Sequence, residues 1–180
     1  ALRAGGMDVR GHTLIWGKWA NITYPGELRE KVLASPDPVQ ALKHYMTQHI
    51  TTVMQHFQGR IRRWDVVNEP LQMSNRKMDN NLFHRLLGED YIAEAFRVAR
   101  TASPDAILFL NEDFRNFSEE NSDRFLSLVR RLLDKGAPID GVGIQSHHLY
   151  ALKNLDHMSR FVSALSEMGL VFELTELDVP

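Results

Sequence analysis

Two short segments, WDVVNEP at residues 64–70 and ELTELD at residues 173–178, each end an apolar, β-branched run on a carboxylate. Placed at the mouths of two parallel strands, Glu69 and Glu176 would form the pair that retaining glycoside hydrolysis needs, one carboxyl as acid/base and the other as nucleophile. The nucleophile must stay ionised while its partner carries a proton, so the surroundings have to treat the two differently. His147 and Gln145, in the run DGVGIQSH, suit the task of holding Glu176 charged and oriented. Glu69 has to arrive protonated and give its proton to the glycosidic oxygen, with Trp64, Val66 and Val67 as its expected apolar surroundings. Once Glu176 is glycosylated its charge is gone, and Glu69 then acts as a base toward water. Asn68 is expected to hydrogen-bond the sugar 2-hydroxyl, and retention requires the two carboxyls to lie about 5 to 5.5 Å apart.

Each of these residues has a plainer reading on its own. NEP is common at turns, and a glutamate at a strand end also serves as a solvated loop residue or a helix cap. His12 and Trp16 lie four residues apart in GHTLIW, on one face of a strand-like run. A lone histidine there is more often a hydrogen-bonded structural residue, and a tryptophan most often packs. Taken singly, none of these residues decides between the two readings.

The elements that must position them alternate between two periods. Residues 7–16, 61–69, 106–112, 140–147 and 171–178 are apolar runs of strand length, continuous enough to imply burial on both faces. A helix is predicted from Asp37 and Pro38, with Val39, Leu42, Tyr45, Met46, Ile50, Val53, Met54 and Phe57 at three- and four-residue spacing. Tyr91 to Thr101 and Asn121 to Asp134 repeat the pattern, the latter closing on Lys135 and Gly136, and a weaker helix spans Leu155 to Met168. Alternation of this kind predicts an α/β fold with a parallel sheet. In the last strand the two-residue period places Leu174, Glu176 and Asp178 on one face, with Glu173 on the opposite, helix side as a charge without catalytic use. In the strand before it, Gly143, Gln145 and His147 share a face. Asn111 and Glu112 either line the catalytic rim or make a turn.

Composition excludes several classes. With 24% charged residues, a net charge of −2 and only Arg60, Arg62 and Arg63 clustered at a strand entrance, nothing calls for nucleic acid. No apolar run approaches the ~18 residues of a membrane span. Cysteine is absent, so disulfides are excluded. The N-terminal ALRAGGMDVRG lacks the apolar core of a signal peptide. Five strands cannot close an eight-stranded barrel, and an open sheet would expose two edges, so a partial chain is expected.

The segments RGHTLIW, HITTVM, WDVVNEP, LGEDYIAEAF, LFLNE, DGVGIQSHH and LTELDV occur in an order that resembles glycoside hydrolase family 10, the xylanase family, along nearly the whole chain. The resemblance implies a (β/α)₈ barrel of which residues 1–180 cover about the third to seventh strands. It implies an endo-1,4-β-xylanase acting by double displacement, with Glu69 as acid/base at the end of the fourth strand and Glu176 as nucleophile at the end of the seventh. It further implies that His147 is the hydrogen-bond partner of the nucleophile with Asp178 behind it, that His12 contacts the sugar undergoing cleavage, and that Trp16 walls the cleft. No cofactor and no metal are implied, and the expected partner is xylan or a related β-1,4-glycan. An extracellular location is the expectation for a polymeric substrate.

Three places depart from the family pattern. After Trp16 the family usually has a His and, two positions later, a Gln that binds a distal sugar, whereas Gly17, Lys18 and Trp19 stand here. The LFLNE run continues with Asp113 and Phe114 where the family has Tyr and Asn, and the loop Asn75–Asn81, with Arg76, Lys77 and Asp79, is also different. These departures keep a related β-glycan or an unusual decorated xylan as alternatives, and the NEP spelling keeps a retaining β-glycanase such as a family 5 cellulase. A metal-dependent barrel enzyme drawing ligands from His12, Glu69, His147 and Asp178, and a non-catalytic glycan-binding remnant, are the other classes. The isolated chain is expected to be weakly active or inactive, because the family's first and eighth strands carry further sugar-binding residues.

Overall fold

The computed structural model describes residues 6–18, 26–71, 77–114, 118–147 and 154–178. Trp19, Asn75 and Arg76, singled out above, lie outside the described residues. A parallel sheet runs through β1 (Arg10–Gly11), β2 (Ile15–Trp16), β3 (Arg63–Asn68), β4 (Ile107–Asp113), β5 (Gly141–Gln145) and β6 (Val171–Thr175). The spatial order is β1-β3-β4-β5-β6, and β2 also pairs with β3. Each strand after the first two therefore lies beside its predecessor and returns through a helical crossover.

The expected first strand over residues 7–16 is two short pieces rather than one. Arg10 pairs with Arg63 and Gly11 with Trp64, then Ile15 with Val67 and Trp16 with Asn68. Between them the peptide His12–Thr13 is cis, and Thr13 and Leu14 both bond the Asp65 carbonyl at 3.0 Å. Three of the other four strands fall within their expected runs, and β4 runs one residue past its own, to Asp113.

The helices are α1 (Gly26–Leu33), α2 (Pro38–His56), α3 (Leu82–Leu87), α4 (Asp90–Ala102), α5 (Glu119–Asp134) and α6 (Leu155–Glu167). Asp37 caps α2 through the Gln40 N–H at 3.0 Å, with Pro38 in the first turn where its missing N–H is harmless. Leu42, Met46, Ile50 and Met54 are its buried stripe, whereas Val39, expected on that face, is 36% exposed in the first turn. Helices α1 and α3, of eight and six residues, are too short for periodicity to signal them. The latter is set by Asn81, which caps the His84 N–H at 3.0 Å.

One face of the sheet packs under these helices. Val66, Val67, Leu108, Leu110, Val142 and Ile144 join Met46, Ile50, Ile92, Phe96, Leu128 and Leu165 in a continuous hydrophobic cluster. Phe114 sits at 5.4 Å from Phe125 and 5.7 Å from Phe161, ring centre to ring centre, so it belongs to this core rather than to a cleft. Trp64 also packs here, 6.1 Å from Phe57, at the opposite end of β3 from Glu69. It does not supply the apolar surroundings expected of it.

The other face is polar. A register shift between Asp65 and Val67 leaves Val66 as an extra residue opposite β4, where Asp65 pairs with Phe109 and Val67 with Leu110. The bulge changes which later residues point to the polar face, and Asn68 becomes the partner of Asn111 there.

Candidate active site

Along β6 the side chains alternate strictly. Phe172 contacts Phe161 of α6, Glu173 meets Arg10 on the polar face, and Thr175 donates to Asn111 Oδ1 at 2.6 Å on that same face. Leu174, 39% exposed, therefore does not share a face with a cleft residue, and Glu173 is not on the helix side, contrary to the period count. Continued alternation would send Glu176 to the helices. The strand ends at Thr175, and Glu176 takes a left-handed backbone with φ 51°, which turns it toward the polar face. Glu69 does the same after Asn68, with φ 48°. Such a conformation costs a non-glycine residue roughly 1 kcal/mol or more, and residues held in it cluster at functional sites.

Both glutamates thereby reach one hydrogen-bonded layer at the strand ends. Glu69 Oε1 accepts from Gln145 Nε2 at 2.9 Å and from Asn68 Nδ2 at 3.4 Å, and Lys18 Nζ binds its Oε2. Glu176 Oε1 accepts from Asn111 Nδ2 at 2.7 Å, and Oε2 faces His147 Nε2 at 3.2 Å. Asn111 Nδ2 also donates to Asn68 Oδ1 at 2.8 Å, which links the two ends. Gly143 lies between Asn111 and Thr175, where any Cβ would overlap the Asn111 amide.

Gln145, expected beside Glu176, bonds Glu69 instead. The β5 side chain points across the mouth to β3, while His147, just beyond that strand, reaches β6. His147 Nδ1 contacts Asp178 Oδ2 at 2.8 Å, so both ring nitrogens face carboxylates. Only the imidazolium can donate at both positions. The Asp178 hydrogen bond, offset in part by desolvation and aided by the charge of Glu176, raises the His147 pKa above the ordinary 6.5.

His12 Nδ1 lies 2.9 Å from Asp65 Oδ2 and 3.9 Å from Glu176 Oε1. The hydrogen bond to Asp65 is the main cause of its raised pKa, against desolvation and the nearby Arg10 charge. Trp16 stands level with Asn68 in the sheet, at the same mouth.

Below this layer lies a set of charges whose pairing the sequence did not reveal, with Arg10 and Asp65 unnoticed, Glu173 expected on the helix side and Arg63 expected at a solvated strand entrance. Arg10 Nε contacts both Asp65 oxygens at 3.0 and 2.9 Å, its other nitrogens bind Asp65 and Glu173, and its guanidinium covers the Phe109 ring at 4.2 Å. Arg63 joins Glu173 at 3.1 Å and Asp8 at 2.7 Å. The clue was available, since Asp65 is the one charge within the apolar run WDVVN and Arg10 stands two residues before His12. Glu112, by contrast, accepts the backbone N–H groups of Leu71 and Asp113 at 3.2 and 2.9 Å and so holds the turn rather than the mouth. Among the described residues no three metal-ligating side chains are grouped to hold an ion, and no helix is long and apolar enough to cross a membrane.

A parallel sheet with helices over one face and paired carboxylates at the carboxyl ends of its strands is the arrangement of part of a (β/α)₈ barrel, its polar face being the barrel interior. The profile of Glycosyl hydrolase family 10 matches residues 2–180, and the chain belongs to that family. It is 33% identical over 177 residues to endo-1,4-beta-xylanase B of Paenibacillus barcinonensis, covering 98% of this chain and 52% of that protein. The crystal structure of native xylanase 10B from Thermotoga maritima superposes with a TM-score of 0.84 at 33% identity, over 98% of this chain and 52% of the other. Xylanase 10B from Thermotoga petrophila, in complex with xylobiose, gives 0.82 at 32% identity, over 98% and 51%. The chain thus spans about half the length of the relatives it matches.

Proposed function

We propose that the protein to which this chain contributes is an endo-1,4-β-xylanase that cleaves xylan, or a related β-1,4-glycan, with retention. Glu176 attacks the anomeric carbon while Glu69 gives its proton to the departing oxygen. Water then attacks the glycosyl-enzyme, passing its proton to Glu69 and releasing Glu176. The observation that carries this reading is the pair of left-handed glutamates turned onto one polar layer and joined through Asn68 and Asn111. Xylanase relatives support the substrate class.

The remaining roles follow from the contacts. His147, backed by Asp178, presents an imidazolium N–H to Glu176 and orients it for attack. Gln145 orients Glu69. Asn68, fixed by Asn111, meets the sugar 2-hydroxyl, an interaction that strengthens in the transition state. His12, anchored on Asp65, and Trp16 border the sugar being cleaved.

The longest reading frame containing this chain should be expressed and given xylohexaose and cellohexaose, with the first-formed anomer followed by proton NMR. Faster turnover of the xylo-oligosaccharide with the β-anomer first is expected. The α-anomer first, or preference for the cello-oligosaccharide, would overturn the mechanism or the substrate respectively.

A further inference from the structure

Lys18 lies between Gly17 and Trp19, two of the positions where this chain departs from the family pattern, and its ammonium sits on the carboxylate of Glu69. The placement is built rather than incidental. Trp16 is the register partner of Asn68, so the two chains leave the sheet side by side, Lys18 two residues past one end and Glu69 one residue past the other. Gly17 lets them stay together, because a Cβ there would overlap the Asn81 amide. Asn81 is itself fixed, capping α3 through the His84 N–H and donating to Asp79 at 3.2 Å, while the Asp79 N–H returns to the Pro70 carbonyl at 2.8 Å. Asp79 and Asn81, tied to Pro70, thus seat the residue that precedes Lys18.

Among the described residues the other hydrogen-bond partners of the Glu69 carboxyl are the neutral amides of Asn68 and Gln145, with Asp113 level with Gln145 in the sheet. Across the mouth, Glu176 already has His147 and His12 beside it. Lys18 is accordingly the cation placed directly on Glu69 among the described residues.

We propose that Lys18 is a positioning residue for the acid/base, an ion-pair partner that keeps the Glu69 carboxyl turned into the mouth. The inference rests on the retaining reading above. A positive charge beside a carboxyl favours its ionised state. It therefore opposes the first step, in which Glu69 must surrender a proton to the leaving oxygen as that C–O bond breaks. It favours the second, in which ionised Glu69 accepts the proton of the attacking water. Removing the charge should help most where leaving-group protonation limits the rate.

The test uses the longest reading frame as wild type, Lys18→Met and Lys18→Arg, with folding checked by thermal melting. Titration of the Glu69 carboxyl by carbon-13 NMR, assigned through Glu69→Gln, should have its midpoint at higher pH in Lys18→Met, and at the wild-type position in Lys18→Arg. On xylohexaose above the pH optimum, kcat/KM of Lys18→Met should rise roughly threefold to tenfold. On an aryl xylobioside whose leaving group needs no proton, the pH profile should stay where it is. An unmoved midpoint, or equal changes on both substrates, would overturn the role of Lys18 even if the enzyme is an active xylanase. A moved midpoint in a protein that does not turn over xylan would support Lys18 acting on Glu69 and overturn the retaining reading instead.

Discussion

The ends of β3 and β6 are built alike and furnished differently. Both finish on a residue facing the polar side, Asn68 or Thr175, and both then place a glutamate in a left-handed conformation that turns it to that side as well. Beyond that point they diverge. The Glu69 side chain is 8% exposed and bound by two amides and the lysine, whereas the Glu176 side chain is 25% exposed, bound by one amide and faced by two histidines with raised pKa. One backbone device delivers a carboxylate to the mouth. What surrounds the carboxylate then differs, and in the proposed reaction that difference has to serve an acid/base at one end and a nucleophile at the other.

Removing the carboxylates separates the two ends most sharply. Glu176→Gln is expected to lower kcat on xylan by roughly 10⁵-fold or more, as loss of a group central to covalent catalysis does. Steady-state turnover above a hundredth of wild type would assign the nucleophile elsewhere. Glu69→Gln should lose about 10²- to 10⁴-fold on xylan. With an activated aryl xylobioside it should instead release a burst of phenol and then stall at the glycosyl-enzyme. Equal losses on both substrates would erase the distinction between the ends.

Asn111 is the link between them, and Asn111→Ala leaves Asn68, Thr175 and Glu176 each short of a partner. A loss of kcat of about 10²-fold is expected from misplacement of the reacting groups. Urea unfolding should show a destabilisation of about 1–3 kcal/mol from the buried groups left unpaired. Wild-type values in both would mean that the two ends are set independently.

The smallest expected effect is electrostatic. The pKa of His147 is raised in the fold, chiefly by Asp178, so its contribution to stability is complete below the ordinary value of 6.5 and is lost as pH rises through the raised one. Asp178→Asn removes the main cause. The difference in Tm between wild type and this variant should be greatest on the acid side of 6.5 and shrink as pH climbs past neutrality. A difference that is constant or grows with pH would show that His147 is held neutral.

Much of this was readable in the chain. Alternating periods identified the parallel α/β sheet, the four long helices and the strand ends carrying Glu69, His147 and Glu176, because burial under helices forces apolar repeats that show in sequence. Helices α1 and α3 were not visible, since eight and six residues with few buried positions leave too short a repeat to detect. Arg10 and Asp65 were visible as charges in apolar runs, yet their pairing joins segments 55 residues apart, a contact that no local pattern encodes.

The sequence by itself determined which carboxylates stand at strand ends and which histidines and amides accompany them. Only the tertiary structure decided where those side chains point. A strict two-residue count puts Leu174 with Glu176 and Glu173 on the helix side. The bulge at Val66 and the left-handed turns at Glu69 and Glu176 reverse that count where it matters. The physical reason is that alternation holds only within regular strand, and both glutamates sit one residue beyond it, where neighbouring chains choose the backbone conformation.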